Sequence, residues 1–116
     1  MPISRKKEDY ILLLIEELKK IIANILNKND LSKEEVISLI NEGLKLATVS
    51  IEDIREQRME KIIEKYNDIR LLIQLDHLIG LYLQYENEPI IEEKRAILQH
   101  HLEENNKSCS FLDFYK

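Results

Sequence analysis

Tryptophan is absent from this chain, glycine and proline occur twice each, and there is one cysteine. Sandwiches and barrels need many tight turns, and turns draw heavily on glycine and proline. Their scarcity excludes those folds, and it excludes a Pro- and Gly-rich disordered chain as well. A lone thiol, Cys109, can form neither an internal disulfide nor a cysteine metal site. No apolar run exceeds the six residues Tyr10 to Ile15, against the roughly 20 that span a bilayer. No transmembrane helix and no membrane partner are therefore expected. No secretory pattern precedes Arg5, Lys6 and Lys7, so the expected location is cytoplasmic.

Positive charge is also in deficit. Seventeen Lys and Arg stand against 22 Asp and Glu, a net of −5, which gives no general attraction to nucleic acid or to an anionic membrane. Residues 31 to 54 do read as helix, turn, helix, but the second helix opens with Glu52, Asp53 and Glu56, which repel a phosphate backbone. Arg55, Arg58, Lys61 and Lys65 follow as part of a solvated, salt-bridged face. The sequence also lacks His-Glu-x-x-His, a Gly-rich phosphate loop and Gly-x-Ser-x-Gly. Di-iron Glu-x-x-His pairs are missing, since Ile97 and Leu98 stand three residues before His100 and His101. His100 and Glu104 are one turn apart but make only two ligands. No catalytic set, metal or cofactor is expected.

What is present is 44% hydrophobic and 34% charged residues in 116 positions. That profile is an all-α domain of about five helices packed as hairpins, over residues 1–107. A C-terminal tail, 108–116, carries Phe111, Leu112, Phe114 and Tyr115, too apolar for a solvated end.

The chain is organised around Ile69 to Tyr85, IRLLIQLDHLIGLYLQY. At about 100° per residue its apolar positions cover roughly two-thirds of the helix circumference, leaving Arg70, Gln74, His77 and Gln84, with Leu81 among them, to face water. Such a helix is central. Asp76 falls inside the apolar arc, and Gly80 sits one turn later on the same face, where a missing side chain admits a close neighbour. A buried carboxylate satisfied by an Arg, Lys, Tyr or His of another helix explains this; a ligand-binding or acid–base carboxylate is the alternative.

Before this segment, residues 5–27 repeat apolar positions at Ile11, Leu14, Ile15, Leu18, Ile21, Ile22 and Ile25. Their opening is apolar on every side, so Tyr10, Leu13 and Leu14 either lie beneath two elements or make a contact with another copy. Ser32 with Glu35 forms a capping box for a second helix, with Val36, Leu39, Ile40, Leu44 and Ala47 inward. Ser50 with Asp53 starts a third, running to about Lys65, and Asn67 and Asp68 are good caps for a break before the central helix. Pro89 starts the last helix, whose inner face reads Ile90, Ile91, Ile97, Leu98 and Leu102. Lys94 and His101 share that face, which makes them candidate partners of Asp76 in a ligand site.

Asp9, Tyr10, Ile11, Leu12, Ile15 and Leu18 make an Asp-Tyr-Ile-Leu-x-x-Ile-x-x-Leu pattern. It resembles the opening of an uncharacterised family of small all-helical bacterial proteins with tetratricopeptide-like hairpins. The resemblance implies stacked hairpins and a scaffold role, with no activity. A tetratricopeptide period is not visible, because Tyr82 follows Gly80 one position too early. The functional expectation is a non-enzymatic interaction module, with a protein partner or a second copy, meeting it through α-helical surface near Tyr10 or through the aromatic tail. A small-ligand sensor or weak enzyme centred on Asp76 is the alternative, and a nucleic-acid-associated regulator comes third.

Overall fold

A computed structural model describes residues 2–28, 30–66 and 68–105, with side chains from residue 9 onward. Six helices follow in order: α1 Pro2–Asn27, α2 Lys33–Leu46, α3 Ile51–Glu56, α4 Met59–Tyr66, α5 Ile69–Tyr85 and α6 Pro89–Asn105. There is no strand among the described residues, and the fold is all-α.

Local signals set most of the boundaries. The Ser32 hydroxyl accepts from the Glu35 amide while the Glu35 carboxylate accepts from the Ser32 amide, and Ser50 and Asp53 do the same for α3. Each box satisfies end-of-helix donors that would otherwise lack partners. Asp68 caps α5, its carboxylate accepting from the Arg70 and Leu71 amides, which makes the break before the central helix real. α2 closes differently. Val49 donates to the Leu44 carbonyl and Thr48 to that of Lys45, the paired bonds of a Schellman motif. The residue that must turn left-handed is Thr48, at φ 58°, where glycine is usual.

The third helix expected from sequence is two. Ile54 and Met59 are both 1% exposed, yet five residues along one helix would set them about 140° apart. An extended Gln57, φ −86° and ψ 157°, bends the chain between α3 and α4 and brings both side chains inward. Tertiary packing overrides a run of good helix formers there.

α5 is the hub, packed against α1, α2, α4 and α6, while α3 and α4 also pack on α6. Leu71, Leu72, Leu75, Leu78 and Ile79 are all 2% exposed or less, each worth about 1.5–3 kcal/mol of apolar burial. Gly43 of α2 lies where an added Cβ would come 3.1 Å from Leu78 and 3.5 Å from Leu18, so this glycine is where three helices meet. The polar strip expected on α5 is narrower than read: Gln74 is 8% and Leu81 7% exposed, because α1 covers that side.

Candidate functional site

The inner stripe of α6 is Ile91, Leu98 and Leu102, all 1% exposed or less, whereas Ile90 and Ile97 are 50% and 39% exposed. Residue 95 stands four after Ile91 and three before Leu98, so it too faces inward. It is an arginine. Arg95 Nε donates to Asp76 Oδ1 at 2.9 Å, and the Asp76 side chain is 5% exposed against 30% for Arg95. The guanidinium lies across Gly80: a Cβ built there would stand 2.6 to 2.9 Å from Nη2, Cζ and Nη1. The glycine thus makes room for the arginine that neutralises the buried carboxylate.

Lys94 and His101, expected as partners of Asp76, do not reach it. They lie on the ridge with Ile90 and Ile97, turned away from α5. Lys94 instead donates to the Gln57 carbonyl, tying α6 to the bend between α3 and α4. The His101 carbonyl accepts from the Asn105 side-chain Nδ2 at 2.8 Å. Of the four residues proposed from sequence for a ligand site, the fold brings together Asp76 and Gly80 and substitutes Arg95 for the other two.

Beside the ion pair is an open cleft of about 210 Å³ lined by Ile22, Leu26, His77, Gly80, Leu81, Gln84 and Arg95. Its lining joins the buried Ile22 and Leu81 and the exposed Leu26 to the polar His77, Gln84 and Arg95. Burial pushes the pKa of His77 down against the opposing pull of Asp76, and nearby Arg95 lowers it further, so the ring is neutral at pH 7.

A second polar cluster fastens α3 to the α5–α6 connection. Arg55 Nε and Nη2 meet Glu88 Oε1 at 2.9 and 2.8 Å, and the Tyr82 hydroxyl donates to Glu88 Oε2. Burial and this bond to an anion push the Tyr82 pKa up to about 12, while Glu88, held by Tyr82 and Arg55, is lowered. The sequence offered no distance cue linking these three. Arg55 is thereby committed within the fold, Asp53 serves as a cap, and Lys65 donates to the Thr48 carbonyl at 2.8 Å. The helix–turn–helix alternative loses those groups and has a six-residue α3 in place of a recognition helix.

On α1, Leu14 is 8% exposed and belongs to the core, the first of the two alternatives read for this stretch, while Tyr10 and Leu13 are 59% and 60% exposed and Leu12 is 42%. The difference is one of face: Leu14 shares the inward stripe of Ile15, Leu18 and Ile22, and Tyr10, Leu12 and Leu13 fall outside it. α2 is 14 residues long against 26 for α1, and with Leu18 beside Gly43 its last turn comes level with about residue 15, so the earlier residues of α1 extend past it. Phe111, Leu112, Phe114 and Tyr115 lie outside the described residues, as does Cys109.

No three His, Cys, Asp or Glu side chains cluster as metal ligands among the described residues, and no described helix is long and apolar enough to cross a membrane. Comparison with family models, with curated proteins and with solved structures gives no match to this chain.

Proposed function

We propose that this chain is a non-enzymatic helical interaction module that associates with a second copy of itself through the outer face of α1. The observation that carries the reading is the exposure of Tyr10, Leu12 and Leu13, three large apolar side chains within one turn; Leu26, Leu46, Tyr85, Ile90 and Ile97 are exposed as well, but no three of them lie so close together along the chain. Contiguous exposed apolar surface of this kind marks contact sites.

The charges beside it suit a second copy. Glu16 and Glu17 precede Lys19 and Lys20, so two α1 helices packed antiparallel about a two-fold axis set Glu16 opposite Lys20 and Glu17 opposite Lys19 of the other copy. Leu13 then comes level with Ala23, a small residue that leaves space for it. A surface that meets itself in this way is isologous. The resemblance of Asp9 to Leu18 to the opening of small helical bacterial proteins supports a scaffold role, and the reading includes a bacterial cytoplasm as its setting.

Sedimentation equilibrium at high micromolar concentration tests it. The full chain is expected to be a dimer, and Leu13→Glu a monomer with unchanged helical content. A chain truncated after Asn106 that alone becomes monomeric would move the contact to the aromatic tail. A full chain that stays monomeric overturns the proposal.

A further inference from the structure

We propose that the cleft beside Gly80 binds a small amphipathic carboxylate, whose head group meets Nη1 and Nη2 of Arg95 and whose aliphatic chain lies on Ile22, Leu26 and Leu81. The proposal is independent of self-association, because Leu26 lies about 140° around α1 from Leu13.

Four features of the cleft converge on this ligand. Asp76 holds Arg95 by Nε, and among the described residues no acceptor takes the Nη hydrogens; these are the edge of the guanidinium that grips a carboxylate in a planar, two-bond fork. Gly80 puts no side chain against the guanidinium, since even a methyl group there would stand 2.6 Å from Nη2, and both residues line the cleft. The ion pair fixes the fork before any ligand arrives, which reduces the ordering cost of binding. The facing wall is aliphatic, and its outer residue, Leu26, is 63% exposed, an apolar side chain at the mouth of a cleft that also holds a guanidinium. At the rim, the Gln84 amide can add a donor to the same head group.

Size and charge narrow the class. A volume of about 210 Å³ is below the roughly 300–1,000 Å³ of drug-sized sites. Asp76 already balances the charge of Arg95, so recognition rests on hydrogen-bond geometry together with apolar contact. A short carboxylate without a chain, or a chain without a carboxylate, makes half of the interactions.

The test is a titration of the full-length chain, followed by amide NMR shifts, with octanoate, acetate and 1-octanol as probes. Octanoate is expected to give saturable shifts at His77, Gly80 and Gln84, with acetate and 1-octanol at least about tenfold weaker, as the loss of one charged hydrogen bond or of several buried methylenes implies. Leu26→Glu, on an exposed position that the fold does not depend on, is expected to weaken octanoate at least about tenfold by placing a like charge at the mouth. Arg95→Lys keeps the charge opposite Asp76 but loses the fork and is expected to weaken it similarly. Absence of saturable shifts with octanoate, equal binding of 1-octanol, or wild-type affinity in Leu26→Glu overturns the proposal, and the Leu26 arm decides the matter even where Arg95→Lys fails to fold.

Discussion

Arg95 Nε donates to Asp76 Oδ1 across the α5–α6 interface at 2.9 Å, and the two residues differ sharply in exposure. The Asp76 side chain is 5% exposed and that of Arg95 30%, so removing one is not equivalent to removing the other. Arg95→Ala strands a buried carboxylate and is expected to cost about 3–5 kcal/mol. Asp76→Leu leaves a guanidinium that can turn to water, and is expected to cost about 1 kcal/mol or less. Urea denaturation orders the two variants, and the reverse order would refute this account.

Gly80 supplies a companion prediction with a change of sign. Alanine in a helix interior normally gains about 1 kcal/mol over glycine. Here its methyl group would force Nη2, Cζ and Nη1 of Arg95 to shift at the expense of the Nε bond to Asp76, and a net loss of about 1 kcal/mol or more is expected. In an Arg95→Ala background the obstruction is gone, and Gly80→Ala is expected to recover the usual gain. A double-mutant cycle measures the coupling directly.

Thr48 is held left-handed at φ 58°, with Lys65 bonded to its carbonyl and the Tyr66 hydroxyl donating to that of Ala47. β-Branched side chains are strained in this region. Thr48→Gly is expected to raise stability by about 1 kcal/mol, read as a higher urea midpoint at unchanged slope.

Ultraviolet titration can isolate Tyr82. Its hydroxyl, buried and bonded to the Glu88 carboxylate, ionises only near 12. Burial raises the Tyr66 phenol as well, so Tyr82→Phe should remove only the component near 12, while costing about 1–2 kcal/mol through the stranded Glu88 oxygen.

Acidification should destabilise the fold in two stages. Burial lowers the pKa of His77, so the unfolded chain takes up this proton first, near pH 6.5. Stability is full above that pH and falls as the pH drops through it. His77→Gln should flatten this stage in a series of urea midpoints from pH 8 to 5. Below about pH 4 a second loss is expected. Asp68, held down chiefly by the Arg70 side chain, and Glu88, held down chiefly by the Tyr82 hydroxyl, then become protonated in the unfolded chain ahead of the folded one.

Local chemistry was legible before any coordinates. The bounds of α5 and the caps at Ser32, Ser50 and Asp68 follow from short-range rules, as does the burial of Asp76 beside Gly80. What escaped depends on which of two adjacent ridges a helix turns inward. On α6 the inner face read from sequence took in both the Ile90–Ile97 ridge, which carries Lys94 and His101, and the Ile91–Leu98–Leu102 ridge, which carries Arg95, and only the second turns inward. Gln74 misled for a similar reason: the second side of α5 is covered by α1, some 50 residues earlier, and no local pattern announces that cover. The bend at Gln57 has no breaker residue and exists because Ile54 and Met59 both have to reach the core.

The position of α5 at the hub has a consequence for the birth of the chain. α1 and α2 pack on it, but it is completed about 39 residues after α2 ends at Leu46. At about 5–20 residues per second, the α1–α2 hairpin stands for roughly 2 to 8 s with Leu18, Ile40 and Leu44 unsheltered. During that interval the nascent hairpin presents a greasy flank to the ribosome exit and to whatever chaperone waits there, and the arrival of α5 ends the exposure.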